Sequence, residues 1–201
     1  MRVLAVCATN FERARISLPE SVQTLLCGVG PVEAAARTAT ALAGERYDLV
    51  LNIGIAGAFE GRSAIGESCV VTEDFIELDR ENGESLRLPP GDRLYPRAQS
   101  DPSLVEMLAA SGMPQRTGVT VARVTTEAST CDRLSALGAE IESMEGFSVL
   151  RAAQIARVRA VELRGISNLV GPRAAERWKL DAAFIALADA MHRLFAAVEP
   201  T

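Results

Sequence analysis

The stretch IESMEGFSV, residues 141–149, places two glutamates three positions apart at the point where a strand pattern becomes a helix pattern. Apolar residues from Phe147 onward recur at roughly helical spacing, so Glu142 and Glu145 are predicted to lie at the start of a helix. Acidic side chains are favourable there because the first N–H groups of a helix are unpaired and its dipole is positive. A carboxylate at that position could instead bind the hydroxyls of a sugar at the mouth of a sheet. From this stretch alone the helix start is the favoured interpretation, and the other stretches decide between the two.

Strand and helix patterns alternate along the chain before this stretch. Residues 3–8 form a continuous apolar run of the kind found in buried parallel strands, and residues 22–27 and 48–53 predict two more strands. An alanine-rich helix is predicted over residues 32–43, between the second and third strands. This succession predicts an α/β fold, a three-layer α/β/α arrangement with a mixed, largely parallel central sheet, and we expect residues 1–201 to form a single domain.

The rest of the chain continues the pattern, with one irregular part. Helices are predicted over residues 102–111, 129–137 and 178–198, and strands over residues 118–124 and 158–166. A glycine-rich turn is predicted over residues 54–59, directly after the third strand. Between residues 66 and 94 short strand-like runs, over residues 68–71, 75–78 and 85–88, alternate with Gly, Pro and Asp, which predicts an antiparallel or irregular insertion at the edge of the sheet.

The composition excludes several classes of function. The chain has 201 residues, of which 48% are hydrophobic and 23% charged, as in ordinary globular proteins. Its net charge of −5 and the absence of a basic run argue against nucleic acid or a membrane as a partner. The N-terminal residues predict a first strand rather than a signal peptide.

The cysteines and the single histidine narrow the possible chemistry further. Cys7, Cys27, Cys69 and Cys131 are far apart and form no C-x-x-C pair, which favours free thiols in a cytoplasmic protein over a zinc or redox site. His192 is the sole histidine and lies in an apolar helix pattern. A Ser-His-Asp triad and a histidine-rich metal site are therefore not expected.

Three stretches carry weaker signals. The turn from Gly28 to Gly30 resembles a dinucleotide fingerprint without its third glycine, and a tight strand-to-helix turn is the favoured interpretation. Small residues in the run 52–59 would let backbone N–H groups approach a ligand. The run 164–168 ends a strand at the carboxyl edge of the sheet, where ligands collect, although a turn is the favoured interpretation of Asn168 taken alone.

Taken together, these stretches resemble the nucleoside phosphorylase and nucleosidase superfamily. The matching pieces follow in order along nearly the whole chain: the first strand leading to Glu12, GVGPVEAA from Gly28, NIGIAG from Asn52, SMEG from Ser143, and RGISN from Arg164. Each piece is a weak signal, but five in order are a strong one. Within the superfamily, the run ISNLVGPR followed by Trp178 is most similar to the futalosine hydrolase family.

The resemblance implies a purine nucleosidase that needs no metal or organic cofactor. Carried over by position, Glu145 would bind the ribose hydroxyls, Glu12 would hold or activate the attacking water, and Asn168 would face the purine. The remaining residues expected to bind the substrate, with the methionine beneath the sugar, are Ala56, Gly57, Ser143 and Met144.

Asn168 is a departure from part of this superfamily. Nucleosidases that release adenine carry Asp at this position, and an acid can donate a proton toward N7 of the leaving base, which an amide cannot do. The oxygen of Asn168 can instead accept a hydrogen bond from N7–H while its NH2 group donates to a 6-oxo group. The residue therefore favours a hypoxanthine base, in agreement with futalosine.

Other expectations depend on the resemblance as well. Futalosine carries a benzoate, so a cation is expected near the pocket, and Arg13 and Arg173 are the candidates. A nucleoside is the expected partner, and relatives that pair their subunits imply a homo-oligomer. A purine nucleoside phosphorylase, a methylthioadenosine nucleosidase and a non-catalytic nucleoside-binding module remain as alternatives.

Overall fold

The computed structural model describes residues 1–78, 84, 86–172 and 178–198. The strands in these residues are β1 Val3–Cys7, β2 Gln23–Leu26, β3 Leu49–Ala58, β4 Ser68–Phe75, β5 Arg97–Gln99, β6 Gln115–Thr120, β7 Ile141–Ser143 and β8 Arg159–Leu169. The helices are α1 Asn10–Arg13, α2 Pro31–Gly44, α3 Pro102–Ala110, α4 Ala128–Ala136, α5 Gly146–Ala156 and α6 Leu180–Val198.

The strands form one mixed sheet that is open at one side and closed into a ring at the other. Strand β1 lies between β2 and β3, and β3 continues the parallel arrangement through its long pairing with β8. Strand β8 pairs antiparallel with β4, β4 pairs parallel with β6, β6 pairs parallel with β7, and β7 returns antiparallel to β3. These five strands close into a ring, with β5 antiparallel on the outer side of β4. Most strand pairs are parallel, so the predicted mixed, largely parallel sheet is confirmed.

Helices cover both faces of the flat part of the sheet. Ala5, Leu51 and Leu163 on β1, β3 and β8 belong to a core that also contains residues of α3 and α6. Val6 and Val50, which point to the other face because side chains alternate along a strand, pack with residues of α2 and α5. Continuous apolar runs thus give each strand two buried faces, and the result is the predicted three-layer α/β/α arrangement.

Strand β3 is longer than predicted, which moves site residues from a turn into a strand. The prediction of a glycine-rich turn over residues 54–59 is wrong, because β3 continues to Ala58 and remains paired with β8 there. Its glycines make room for side chains of β8 that cross it: a Cβ on Gly54 would collide with Nη1 of Arg164, and a Cβ on Gly57 would lie 2.7 Å from Nδ2 of Asn168. Glycine therefore signals a close approach here rather than a chain reversal.

The region after residue 66 also differs from the prediction. Strand β4 lies inside the sheet between β8 and β6, and it is not an edge insertion. On this side the edge strand is β5. It has only three residues, too few to give a recognisable sequence pattern. The run predicted over residues 75–78 is strand only at Phe75, and Ser85, where the next run starts, is outside the described residues. Strand β4 was not recognised as a central strand because Asp74, a buried acid, interrupts its apolar pattern.

The cysteines have the state that their spacing predicts. All four are free thiols, and Cys7, Cys27 and Cys69 are buried. Burial raises the pKa of Cys27 to about 12 and that of Cys69 to about 12, so these thiols are protonated at neutral pH. Among the described residues, no helix has the length and apolar character needed to cross a membrane.

Candidate active site

A cavity of about 290 Å³ opens at the carboxyl ends of the parallel strands β1, β3 and β8. This edge is where open α/β sheets bind ligands, because loops and helix N-termini converge there. Seven residues singled out in the sequence line this one cavity, although they come from distant parts of the chain: Glu12, Ala56, Gly57, Ser143, Met144, Glu145 and Asn168.

Glu12 is fixed by the short helix α1, which apolar periodicity could not reveal. Thr9 caps the helix: its Oγ1 accepts a hydrogen bond from the Glu12 N–H at 3.2 Å, and Oε2 of Glu12 accepts from the Thr9 N–H at 3.1 Å. This reciprocal capping box holds the carboxylate in one orientation. Glu12 is buried, and its Oε1 lies 2.9 Å from where a Cβ of Gly54 would stand.

Glu145 stands at the N-cap position of α5, yet its carboxylate does not cap that helix. Its Oε1 accepts a hydrogen bond at 2.9 Å from the N–H of Gly30, which precedes α2. Gly30 adopts a φ of 93°, a conformation that favours glycine, and it directs this N–H toward the cavity. The Gly146 N–H donates to Ser143 Oγ at 3.1 Å instead. Helix capping therefore does not explain Glu145.

The surroundings of Glu145 act on its ionisation in opposite directions. Burial raises the pKa of Glu145 above its ordinary value, and the charges of Glu12 and Glu162 add to this rise. Arg164 and the Gly30 N–H oppose it by stabilising the carboxylate. The neighbouring Glu142 also faces the cavity and accepts a hydrogen bond from the Thr125 N–H at 3.1 Å.

Asn168 lies within β8 and not in a turn after it, so the turn interpretation is wrong. The pairing of β3 with β8 shifts register between Ala56 and Gly57, and bulges of this kind often re-aim side chains beside active sites. Oδ1 of Asn168 accepts from Ser167 Oγ at 2.8 Å, and Nδ2 donates to the Leu169 carbonyl at 3.0 Å. These bonds fix which end of the amide carries the donor.

Two charged residues near the site were missed by the sequence reasoning. Glu162 and Arg164 are both almost fully buried in β8, and Nε of Arg164 donates to Oε1 of Glu162 at 2.7 Å. Burial alone would lower the pKa of Arg164, but Glu162, Glu145 and Glu12 together raise it, so the guanidinium stays charged. The available signal was two charges spaced two residues apart in an otherwise apolar strand, which puts both on one face.

Of the two arginines that the sequence suggested near the cavity, the structure describes one, and it does not line the cavity. Arg13 is directed toward β2, with Nε donating to Thr24 Oγ1 at 3.2 Å and Nη1 to the Ile16 carbonyl at 3.0 Å. Arg173 lies outside the described residues. The guanidinium of Arg15 instead stacks on the ring of Phe11, which lines the cavity, with 3.5 Å between its Cζ and the ring centroid.

The fold and this cavity define a class of protein. A family model described as the phosphorylase superfamily matches residues 10–199, and the protein belongs to that superfamily. The resemblance found in the sequence is thereby confirmed.

Within the superfamily, the similar curated proteins are futalosine hydrolases. That of Streptomyces coelicolor is 36% identical over 214 residues, covering 98% of this chain and 90% of the relative. That of Thermus thermophilus is 36% identical over 180 residues, covering 84% of this chain and 79% of the relative. These identities place the protein in the futalosine hydrolase family.

Solved structures share the fold at much lower identity. A 5′-methylthioadenosine/S-adenosylhomocysteine nucleosidase from Colwellia psychrerythraea, in complex with adenine, has a TM-score of 0.81 at 16% identity, covering 98% of this chain and 96% of that one. The nucleosidase from Neisseria meningitidis, in complex with methylthio-immucillin-A, has a TM-score of 0.80 at 18% identity, covering 98% and 100%. At these identities the likeness confirms the fold.

Proposed function

We propose that the protein hydrolyses the N-glycosidic bond of futalosine, releasing hypoxanthine and dehypoxanthinyl futalosine in menaquinone biosynthesis. Two observations support the activity: the futalosine hydrolases to which the chain is similar, and a cavity that two buried carboxylates share with an amide. The observation that carries the proposal is the meeting of Glu12, Glu145 and Asn168 in that cavity. We expect residues 1–201 to act as one nucleosidase domain.

In the proposed reaction, the bond between C1′ of the ribose and N9 of the purine breaks, and its electron pair goes to the base. Positive charge develops on the sugar, and the ionised Glu145 stabilises it while holding the ribose hydroxyls. Glu12 orients a water molecule whose oxygen bonds to C1′ and whose proton passes to Glu12. The base takes up one proton from solvent, because the amide of Asn168 cannot supply it.

Asn168 is proposed to select a 6-oxopurine. Its NH2 group, which already donates to the Leu169 carbonyl, has a second N–H for the 6-oxo oxygen, and its oxygen can accept from N7–H. Ser167 supports this orientation by donating to the same oxygen. The 6-amino group of adenine would place a hydrogen-bond donor against the NH2 group of Asn168, which is also a donor. Methylthioadenosine hydrolysis is therefore the less favoured alternative.

Charge in the cavity supports water rather than phosphate as the nucleophile. The described lining residues include Glu12, Glu142 and Glu145, and none of them is Arg, Lys or His. The N–H of Gly30, at the positive end of α2, is already occupied by the Glu145 carboxylate, so it does not offer an anion site. A phosphorylase would have to bring a phosphate dianion against three carboxylates.

For the benzoate of the substrate we propose Arg15 in place of Arg13. Arg15 is exposed beside Phe11, at the side of the cavity that Leu180 of α6 also lines. The ring of Phe11 meets Phe184 edge to face, with 6.0 Å between centroids, which gives an aromatic wall next to the guanidinium. Such a mouth suits an aryl carboxylate, which needs apolar contact and one cation.

The place of action and assembly are also proposals. We propose a cytoplasmic enzyme, since the protein has free buried thiols, and a homo-oligomer. Large apolar side chains that are exposed in the single chain support the assembly; Val32 is 82% exposed and Ile155 is 69% exposed. Analytical ultracentrifugation of the purified protein tests it, and a sedimenting monomer at micromolar concentration would contradict it.

The experiment that tests the proposed function is a substrate panel. The protein is mixed with futalosine, aminodeoxyfutalosine, inosine and methylthioadenosine, each with and without phosphate, and the free base is identified by chromatography. We expect hypoxanthine from futalosine at the same rate in both buffers. Strict dependence on phosphate would favour the phosphorylase, equal efficiency on inosine would overturn the specificity, and binding without base release would favour the non-catalytic module.

A further inference from the structure

Three ionisable side chains are buried together near the cavity. Asp74 on β4 is 1% exposed, Glu162 on β8 is fully buried and Arg164 on β8 is 2% exposed. Strands β4 and β8 are direct neighbours in the ring, with Val71 opposite Glu162. Buried charges are costly unless they are paired, so a cluster of this kind must be balanced by its own members.

The ion pair between Glu162 and Arg164 determines where the guanidinium points. Glu162 accepts from Nε of Arg164 at 2.7 Å, which fixes one edge of the guanidinium. Nη1 of Arg164 and Oε1 of Glu12 both crowd the position that a Cβ of Gly54 would take, so the two groups are near each other. The charge of Arg164 also lowers the pKa of Glu145. Arg164 therefore connects the buried Glu162 to both carboxylates of the cavity.

The cluster holds one acid more than it has cations. Oδ2 of Asp74 and Oε1 of Glu162 both crowd the position that a Cβ of Gly146 would take, so the two carboxyl groups are close neighbours. Oδ1 of Asp74 accepts from Thr120 Oγ1 at 2.7 Å, whereas its Oδ2 has no hydrogen-bond partner among the described residues. Two ionised carboxylates in this space would repel each other with one guanidinium to share.

We propose that Glu162 is a positioning residue, whose ion pair with Arg164 keeps that guanidinium near Glu12 and Glu145, and that Asp74 beside it is a neutral, protonated acid. Burial, together with the charge of Glu162, raises the pKa of Asp74 well above its ordinary value, in agreement with this assignment. Glu162 thus acts on the reaction through Arg164. The proposal deepens the proposed function, because its kinetic test uses the same nucleoside reaction.

The charges that face Glu145 give the direction of the expected pH effect. The titratable groups around Glu145 are Cys27, directly after β2, Glu12 on α1, and Glu162 and Arg164 on β8. Cys27 is a protonated thiol, and of the remaining groups Glu162 raises the pKa of Glu145 while Arg164 lowers it. Removing the charge of Glu162 therefore lowers the pKa of Glu145. The acid limb of the kcat/KM profile, which follows the ionisation of Glu145, moves to lower pH.

The test compares Glu162→Gln with Asp74→Asn in the full chain, using whichever nucleoside the wild-type protein turns over. The glutamine of the first variant keeps an acceptor for Nε of Arg164 but carries no charge. We expect kcat to fall by about tenfold with KM nearly unchanged, and the acid limb to move down in pH. Asp74→Asn replaces a neutral acid by a neutral amide, so the acid limb stays at its wild-type position.

Each result decides for or against the assignment. An acid limb that stays in place in Glu162→Gln, even with a lower melting temperature, would reduce Glu162 to a structural role. An equal shift in Asp74→Asn would mean that Asp74 is ionised. If Glu162→Gln does not fold, Glu162→Asp is used in its place. This variant keeps the negative charge but moves it away from Nε of Arg164, so kcat should fall while the acid limb stays in place. Wild-type turnover of Glu162→Asp would overturn the proposal.

A spectroscopic measurement tests Asp74 independently of any activity. Infrared difference spectra between the wild-type protein and Asp74→Asn should show the carbonyl band of a buried protonated carboxylic acid at neutral pH, present in the wild type alone. A carboxylate band in its place would overturn the assignment. If the proposed function is wrong, the wild-type protein will not turn over futalosine, but this spectrum will be unchanged. Failure of the proposed function and failure of the Asp74 assignment are therefore distinguishable.

Discussion

Asn168 illustrates how one side chain can be prepared for a base by its own strand. The Leu169 carbonyl accepts a hydrogen bond from Nδ2, and the Ser167 hydroxyl donates one to Oδ1. The atom that faces the Leu169 carbonyl must therefore be a hydrogen-bond donor. An ionised Asp at this position would set an acceptor against the Leu169 carbonyl. It would therefore be driven toward its protonated form, which is the form that can pass a proton to N7.

The first prediction is that Asn168→Asp shifts preference from the hypoxanthine to the adenine substrate. The 6-oxo group loses its donor, a buried mismatch of about 1–3 kcal/mol, or roughly tenfold to a hundredfold in relative kcat/KM. The measurement is kcat/KM of wild type and variant on futalosine and aminodeoxyfutalosine. An unchanged ratio of the two substrates would mean that Asn168 does not contact the base.

The second prediction concerns the two carboxylates. Glu145→Gln and Glu12→Gln should each lower kcat by at least about a hundredfold, because each removes a positioned charge or base. Folding should survive, since a Gln oxygen can still accept from the Gly30 or Thr9 N–H. Glu33→Gln, on the exposed surface of α2, is the control and should keep wild-type turnover. A variant at 12 or 145 within about threefold of wild type would remove that residue from the mechanism.

The third prediction separates Arg15 from Arg13. Arg15→Met should raise KM for futalosine by about tenfold, the effect of losing a partly solvated charge-assisted contact, and should leave inosine turnover unchanged. Arg13→Met, two residues away in sequence but bound to Thr24 and Ile16, is the matched control. Equal effects of both variants on futalosine would show that neither reads the benzoate.

Residue types and order were enough to predict the cavity residues but not the charges beneath them. Glu12, Glu145 and Asn168 stand in recognisable runs, and the structure brings all three to the cavity. The contact of Arg164 across Gly54 depends on the pairing of β8 with β3, which no local pattern expresses. Arg13 is adjacent to Glu12 in sequence, but its side chain is directed toward β2 by its bond to Thr24.

At the scale of elements, α3 is tied to β8 through a single carboxylate. Asp101 caps α3 by accepting from the Leu104 N–H at 3.1 Å, and it also forms an ion pair with Arg159 at 2.8 Å. The hydrogen bond from Arg159 is the main reason why the pKa of Asp101 lies well below its ordinary value. The carboxylate thus has a capping role and a pairing role, which mutation can separate.

The fourth prediction is that Asp101→Ala lowers the free energy of unfolding by about 1–2 kcal/mol, whereas Asp101→Asn, which retains the cap, lowers it by less than about 1 kcal/mol. The folded state binds fewer protons at Asp101 than the unfolded state does. Its contribution is therefore present above pH of about 3.9 and is lost as pH falls below it. Urea denaturation at neutral and acidic pH measures both effects, and equal losses in Ala and Asn would contradict a capping role.

Long elements with strong periodicity were predictable, and short or charged ones were not. The helix predicted over residues 178–198 is confirmed as α6, which buries Phe184, Leu187, Met191 and Leu194 along one face. Strand β4 was misjudged because Asp74 interrupts its apolar run, although that acid is buried inside the ring. The failures fall where a polar residue is held by partners distant in sequence, which is where the buried charge cluster lies.

At the scale of the whole molecule, the sheet combines an open parallel half with a closed ring. The open half supplies strand ends that carry Thr9 and Glu12, and the ring brings β7 and β8 to the same edge with Glu145 and Asn168. Alternation of strands and helices predicted the layers. Ring closure could not be predicted, because it depends on the pairings β3–β7 and β4–β8, which join segments far apart in the chain.

The central claim is that this cavity breaks a purine N-glycosidic bond with water as the nucleophile. It is tested most directly by turnover of futalosine in water labelled with heavy oxygen, followed by mass spectrometry of the sugar product. We expect hypoxanthine release and one heavy oxygen at C1′ of the sugar product, equally with and without phosphate. A sugar phosphate that forms only when phosphate is present, or a nucleoside that stays intact, would contradict it.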